Sequence, residues 1–552
     1  MADFTLEEVK TLTMVEIAAA QANRYDDKIF LHYLPTGEKI SYADFDRRTN
    51  RIGAALLAHG IGRGDHVGLM LDNNPEIVLS VVSLTKCGAV WAPVNTAVKG
   101  KLLTYYLDLA DAKALVVNER YLPLLEACLQ DLPRVRLVVV VEDGSGSVKP
   151  RLGSISVLRF SQLETVDATP HVFSSSPYEM AALLFTSGTT GPSKAIMWSQ
   201  AGINFWCTQN AIARTVSADD IEYTCLPMFH ANALLNSTLT SFMAGASVAL
   251  TDKYSTTRFW GEIRASRATR FNSLGAVANF LWAQPPGTGD RDHDLRVCSM
   301  APVPAYAAQF EERFGVRIFT GYGLSDYCLA ASTRPDDPPE KRFSCGRPRD
   351  GVELRIVDEN DIDVAPGSPG EIVLRIQHAW GAATGYYKLP EATLESRRNL
   401  LFHTGDRGYL DKDGYLYFLD RKKDSIRRRG ENISTQEVES VVNSHPDVVS
   451  SAVYPLRAEM EEDEVAVSAL LRPGSALTCV DLIRYCADNM SYFMVPRFVE
   501  FVHELPLTPS GKVEKYKLRE RAENNPSLWD REAEGLTVTR RGLEQVRRAA
   551  SV

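Results

Sequence analysis

Between residues 42 and 274, short runs that are apolar at every position alternate with longer helix-period segments, and this alternation restricts the fold more than any other feature. Residues 42–60 place Phe45, Ile52, Ala55, Leu56 and Leu57 on one face and Asp46, Arg47 and Arg48 on the other, and Gly60 and Gly62 stop the helix. The run 66–71 reads as a buried strand, Asn74-Pro75-Glu76 as a helix start, and 77–87 as the helix that follows. Further strands are expected at 89–94, 114–117 and 137–141, and the pattern resumes with a helix at 201–214, a strand at 221–228, a helix at 233–244, a strand at 247–250, a helix at 259–266 and a strand at 271–274. A strand without a polar face is covered on both sides, so the sheets are expected to be mostly parallel with helices over them. Residues 142–169, rich in Gly, Ser and Pro at their start, read as a surface excursion.

The texture changes at Val352. Residues 354–357, 371–375 and 415–418 alternate in a two-residue period, with turns at Asp358-Glu359-Asn360 and Asp413-Gly414, which predicts a small antiparallel barrel or sandwich. A charged run, 420–429, leads into helices at 435–444 and 480–490 and strands at 448–453, 465–471 and 498–501, the pattern of a compact α+β module. The expected fold is therefore α/β: a large N-terminal domain (1–422) of helix-covered, mostly parallel sheets plus the small barrel, then a small α+β C-terminal domain (423–552). The polar tail beyond Arg521 is expected to be peripheral. The 552 residues suffice for two or three domains, and a net charge of −9 speaks against a general nucleic-acid surface. Nine scattered cysteines without metal-ligand spacing read as thiols of a reducing compartment. The acidic start, Met-Ala-Asp-Phe-Thr-Leu-Glu-Glu, lacks a signal-peptide core, and no run approaches the roughly 20 apolar residues of a span. A cytoplasmic enzyme is the expectation.

One stretch carries chemistry by itself. An apolar run ending in Phe185 meets Thr186, Ser187, Gly188, Thr189, Thr190 and Gly191, and the segment closes on Lys194. Glycines turn backbone N–H groups toward an anion, hydroxyls add donors, and lysine supplies a point charge for phosphate. The order differs from a Walker P-loop. Alone, such a run is more often a flexible surface turn.

Four more stretches follow in order: Gly321-Tyr322-Gly323-Leu324-Ser325-Asp326, His403-Thr404-Gly405-Asp406, Asp420-Arg421-Lys422-Lys423-Asp424 and Pro509-Ser510-Gly511-Lys512. With the first they resemble the acyl-adenylate-forming superfamily of acyl-CoA synthetases, peptide-synthetase adenylation domains and luciferases, over roughly residues 13–521. The resemblance implies an ATP-dependent carboxylate–CoA ligase that uses ATP, Mg²⁺ and CoA. It makes an acyl-adenylate with release of pyrophosphate, then a thioester. By the same resemblance the 186–194 loop holds the ATP phosphates, Tyr322 stacks on adenine beside the turn containing Ala301, and Ser325 donates to the α-phosphate. Asp326 holds Mg²⁺, Asp406 accepts the ribose hydroxyls, and Arg421 clamps ribose or phosphate. Lys512 stabilises the charge as carboxylate oxygen attacks phosphorus, Lys423 is the hinge of a C-terminal domain that the resemblance implies is mobile, and Gly430 lines the pantetheine channel beside Arg427, Arg428 and Arg429, which are set to meet CoA phosphates. A homodimer is compatible with the resemblance.

Phe229-His230-Ala231-Asn232 matches the stretch that borders the acyl pocket. Amino-acid-activating members carry an aspartate after the aromatic; this chain has His230, which is expected to gate the pocket. A buried ammonium without a carboxylate is costly, so amino acids are disfavoured. Residues 272–277 and 284–293 are similar to the carnitine/crotonobetaine-type CoA ligases, with Gly275 and Ala276 leaving room at the pocket floor and Trp206 and Trp282 lining or flanking it. A medium-chain or cyclic non-amino acid is expected. Most members have Thr-Glu where this chain has Ser325-Asp326, which leaves open a ligase that accepts adenylates made elsewhere; an acyl-AMP ligase that loads a carrier protein is a separate alternative that the resemblance allows.

Overall fold

The computed structural model describes residues 3–144, 151–165, 175–186, 193–421, 426–428, 431–433, 435–457, 463–507, 513–539 and 542–545. Two large sheets dominate the N-terminal part. In the first, Arg317–Phe319, Val297–Ala301, Arg270–Leu274, Ile221–Thr224, Ser247–Leu250 and Ile29–Tyr33 lie side by side, all parallel, and Glu38–Ser41 closes the edge as a hairpin. In the second, Met180–Phe185, Val90–Pro93, His66–Met70, Ala114–Asn118, Leu137–Val141 and Ile155–Arg159 form the parallel centre. Its central strands are buried at every position, as their unbroken apolar runs require.

Helices Pro75–Lys86 and Gln200–Ala213 lie in the main core with nearly every residue buried, the first rich in Ile, Val and Leu and the second without a charged residue. The first starts where the Asn74 side chain accepts from the Ile77 N–H at 3.1 Å, with Pro75 in the first turn. Its Lys86 is fully buried, and the ammonium donates to Asp46 Oδ1 (2.5 Å), Asn50 Oδ1 (2.8 Å) and Thr49 Oγ1 (2.9 Å). These acceptors replace the water that a buried charge would otherwise lack.

The antiparallel region takes the form of two open sheets, Val352–Val357, Gly370–Ile376, Phe402–Leu410 and Leu416–Arg421 in one and Gly321–Gly323, Leu329–Ser332 and Arg347–Pro348 in the other, sharing one core. The C-terminal sheet runs Val448–Arg457, Asp463–Leu471, Phe498–Val502, Trp529–Asp530, and helices Thr435–Asn443 and Cys479–Asn489 add to its core.

Several expectations are corrected. The supposed surface excursion contains Ile155–Arg159, which extends the second sheet in parallel with Leu137–Val141; its alternation of buried and exposed residues marks a strand near an edge. The polar tail is not peripheral: Trp529–Asp530 joins the C-terminal sheet, and Arg497 clamps Asp530 at 3.0 and 2.9 Å. Trp529, Val538 and Leu543 pack against the core there, too few apolar residues to stand out among the charges. The helix expected at 233–244 is a π-helix, Asn232–Leu239, followed by a single α-turn, Thr240–Met243. Its wide turns suit hydroxyls that bond five residues back: Thr240 Oγ1 to the Leu235 carbonyl at 2.7 Å and Thr238 Oγ1 to that of Ala233 at 3.0 Å.

Candidate active site

Four neighbouring parallel strands of the first sheet end in a row. Past Arg317–Phe319 comes Tyr322; Ala301 ends Val297–Ala301; Gly275 and Ala276 open helix Gly275–Trp282 after Arg270–Leu274; and the segment with His230 and Asn232 follows Ile221–Thr224. Ligands of parallel α/β sheets bind at the carboxyl ends of strands, so one edge carries four of the sequence-derived stretches.

The phosphate-loop candidate joins Met180–Phe185 to Ala195–Ser199, which pair antiparallel as a hairpin. Ser187, Gly188, Thr189, Thr190 and Gly191 lie outside the described residues, but the neck is well defined. The Thr186 N–H donates to the Lys194 carbonyl (3.0 Å), and the Lys194 N–H to Thr186 Oγ1 (2.9 Å). Ser193 Oγ donates to the Thr186 carbonyl (2.7 Å), while Tyr105 and Tyr106 reach Ser193 at 2.8 and 2.7 Å.

Strand Ala195–Ser199 then acts as a ruler. Lys194 stands at its head. Ile196 pairs with Tyr386, and the Trp198 indole N–H donates to the Ser325 carbonyl at 2.9 Å. The Tyr386 hydroxyl donates to Asp326 Oδ2 at 2.9 Å, and Lys194 Nζ lies 4.5 Å from the centre of the same ring. One tyrosine thus joins the loop lysine to the carboxylate expected to hold metal. Burial, and then the Asp326 charge, push the Tyr386 phenol well above its ordinary value, so it stays a donor.

Asp326 Oδ1 has no hydrogen-bond partner among the described residues. A half-buried carboxylate oxygen of this kind is a hard donor that fits Mg²⁺. Among the described residues no three His, Cys, Asp or Glu side chains gather as a cage. Mg²⁺ bound through one carboxylate and substrate phosphates needs none.

Between the two antiparallel sheets, the Tyr322 hydroxyl donates to Asp406 Oδ2 at 2.7 Å, and both side chains are buried. Burial first, and Asp406 second, hold this phenol far above its usual range. Tyr322 sits between two glycines for steric reasons. A Cβ on Gly321 would stand 2.6 Å from the Ala331 carbonyl oxygen, and one on Gly323 2.8 Å from Leu329 Cα. Asp406 is set by Thr404, whose Oγ1 accepts from the Asp406 N–H (3.0 Å) and donates to the Ile372 carbonyl (2.6 Å). His403 lies 3.3 Å from Glu371 and 3.8 Å from Asp361. The backbone pairs Asp406 directly with Arg421.

At the other end of the row, His230 is half-buried, its backbone N–H on the Pro227 carbonyl (3.1 Å) and its ring 4.6 Å from that of Phe229. Asn232 Oδ1 accepts from Asn272 Nδ2 (2.6 Å) and Asn236 Nδ2 (3.3 Å). Trp206 donates to Asn236 Oδ1 at 2.6 Å.

Lys423, Gly430 and Lys512 lie outside the described residues, as does Arg429. Arg428 does not face CoA phosphates. It is buried, with its guanidinium 2.7 Å from Glu464 and bonded to the Phe493 carbonyl at 3.0 Å, because the C-terminal core supplies a carboxylate and carbonyls that a charged run in the sequence does not reveal. Sequence reasoning missed Tyr386, Trp198 and Asn236. The apolar run 195–199, directly after a Gly/Ser turn, was the available signal for the second hairpin strand.

Residues 18–387 match the family described as AMP-binding enzyme, and residues 437–512 match the AMP-binding enzyme C-terminal domain. The crotonobetaine/carnitine–CoA ligase of Citrobacter koseri is 30% identical over 490 residues, 87% of this chain and 93% of that protein. The enzyme of the same name from Salmonella arizonae is 30% identical over 511 residues, 90% of this chain and 97% of its own. The solved anthranilate CoA ligase AuaEII with anthranoyl-AMP superposes with a TM-score of 0.84 at 24% identity, over 94% of this chain and 99% of its own, which speaks to the fold. ATP-bound MatB from Rhodopseudomonas palustris gives 0.80 at 25% identity, over 92% and 99%.

Proposed function

This chain belongs to the AMP-binding enzyme family, and from that premise we propose how its residues divide the work of an ATP-dependent acid–CoA ligase. The enzyme joins a carboxylic acid to CoA through an acyl-adenylate. In the first step carboxylate oxygen attacks the α-phosphorus of ATP and pyrophosphate leaves. In the second the CoA thiol attacks the acyl carbonyl and AMP leaves. Lys194 with the 186–191 loop binds the β- and γ-phosphates. Ser325 donates to the α-phosphate, and Lys512 steadies the charge that builds in the transition state. Tyr322 and Ala301 flank adenine, and Asp406 with Arg421 takes the ribose. His230, Asn232, Gly275 and Ala276 form the acyl side, Lys423 is the pivot of a C-terminal domain spanning 423–552, and Gly430 borders the thiol's approach. Asp326 would hold Mg²⁺, which when bound offsets the phosphate charge. The same reading places the enzyme in the cytoplasm, as a homodimer, acting on a medium-chain or cyclic non-amino acid.

The observation that supports this reading most is the meeting of Lys194, Tyr386, Asp326 and Ser325 along strand Ala195–Ser199. It sets the loop lysine, the carboxylate and the α-phosphate donor together, with Tyr322 on the strand that leads into Ser325 and Asp326, and Asp406 bonded to it from the neighbouring sheet. A panel of carboxylic acids with ATP, Mg²⁺ and CoA, scored by thioester mass, tests it. Thioester and AMP in equal amounts are expected. Acyl-AMP without thioester would point to a carrier-protein acceptor, and conversion of supplied acyl-AMP without any pyrophosphate exchange would point to an adenylate-accepting ligase.

A further inference from the structure

The polar network beneath His230 has a direction that chemistry forces. An indole N–H only donates, so the Asn236 atom that meets Trp206 is its carbonyl oxygen, at 2.6 Å. The Asn236 amino group therefore faces Asn232, which must present its own carbonyl, at 3.3 Å. Asn272, meeting that same oxygen at 2.6 Å, must present its amino group, which also reaches Ser237 Oγ at 3.2 Å. One tryptophan thus sets three amides. The π-helix that carries Asn232 and Asn236 is braced from below: the Asn236 main-chain carbonyl accepts from Arg214 (2.7 Å), whose guanidinium grips buried Glu222 with two bonds of 3.0 Å.

The relay leaves a defined remainder. Asn232 spends its carbonyl on the network, and its amino group has no partner among the described residues. Asn272 spends its amino group, and its carbonyl has none. Ser299, opposite Asn272 in the parallel pairing and hence on the same face of the sheet, is 8% exposed, and its hydroxyl has no partner. A buried hydroxyl without a partner is costly, and a ligand or water oxygen set against it would satisfy it. Ser299 and Asn272 stand on the strands one and two away from the strand that leads to Tyr322, and Asn232 lies beyond the carboxyl end of the next strand.

We infer that Asn232, Asn272 and Ser299 are specificity-determining residues that recognise a neutral oxygen function, a keto or hydroxyl group, on the body of the acid away from its carboxylate. This rests on the ligase reading above and narrows it. Amino hydrogens of Asn232 meet the oxygen's lone pairs, and the Asn272 carbonyl and Ser299 hydroxyl accept or donate in turn. The set carries no charge, so it matches a neutral oxygen better than a second ionised group, which would need an opposite charge when buried.

Matched acid pairs on one skeleton test the inference: hexanoate against a keto-hexanoate, and cyclohexanecarboxylate against its ring-oxo and ring-hydroxy derivatives. Two readouts are taken, thioester kcat/KM and the affinity of each acid by calorimetry with AMP present. The oxygenated member of the best-accepted skeleton is expected to lead by roughly 10- to 100-fold, the range that one or two buried hydrogen bonds left unmade produces. In Asn232→Leu, near in volume and unable to donate, that ratio should fall toward one. Equal or better use of the hydrocarbon acids by the wild-type chain would overturn the inference, whether or not the variant folds. If no acid yields thioester, the ligase reading fails on its own, and calorimetry still decides: a preference for oxygenated acids upholds the recognition set, and none removes it.

Discussion

Tyr386→Phe isolates the contact that joins the loop lysine to Asp326. Phenylalanine keeps the ring beneath Lys194, 4.5 Å from its ammonium, and deletes only the hydroxyl that donates to Asp326 at 2.9 Å. A hydrogen bond to a charged group contributes about 1.5–3 kcal/mol. Asp326 is only half-buried, so water recovers part of the loss, and about 1 kcal/mol of orientation remains. By the relation between barrier and rate this is a fall of roughly 5- to 10-fold in the first half-reaction. The assay is acid-dependent ATP–pyrophosphate exchange across a Mg²⁺ titration, with thioester formation from supplied acyl-adenylate as the internal control. Exchange should drop and its half-maximal Mg²⁺ concentration rise, while the second step holds. Mn²⁺ affinity of the ATP complex, read by electron paramagnetic resonance, should weaken in parallel without any turnover. Exchange within twofold of wild type at every Mg²⁺ concentration, or equal loss in both half-reactions, would refute the reasoning.

Lys512→Ala should lower exchange by about 10²–10³ while thioester formation from acyl-adenylate survives, because one charge-stabilising donor is commonly worth that much; parallel loss would remove Lys512 from the first step. Asp326→Glu, about 1.5 Å longer on bond-length grounds, should keep activity and lower the Mg²⁺ needed for half-maximal exchange. Tyr322→Phe leaves buried Asp406 without the donor at 2.7 Å and should raise the KM for ATP roughly tenfold with little change in KM for CoA, measured by exchange and thioester assays. Lys86→Met should cost about 3 kcal/mol in urea denaturation, since it strips the ammonium from Asp46, Asn50 and buried Thr49. Burial lowers the folded Lys86 pKa below its unfolded value, so the unfolded chain holds the proton longer, and wild-type stability should rise with pH between the two values. The Met variant should lack that rise.

The sequence by itself determined the parallel sheets, because a strand buried on both faces must be apolar at every position and such runs are visible without partners. It also located most of the candidate chemistry, since loop glycines, hydroxyls and carboxylates in family order need no tertiary information to be noticed. Tertiary structure decided what each group touches. Asp326 meets Tyr386 across 60 residues, and Ser325 meets Trp198 across 127. Periodicity reports which face of a segment is buried, and it is silent on which distant side chain arrives there. The same limit hid Ile155–Arg159 in a Gly-rich stretch and Trp529–Asp530 in a charged tail, where a few apolar residues suffice because a neighbouring strand completes the hydrogen bonding. It gave Arg428 to phosphate when Glu464 already held it. The direction of the Asn232 relay is the clearest case. Asparagine is symmetric enough to face either way, and only the donor-only indole of Trp206, brought in from another helix, settles which end the acid will meet.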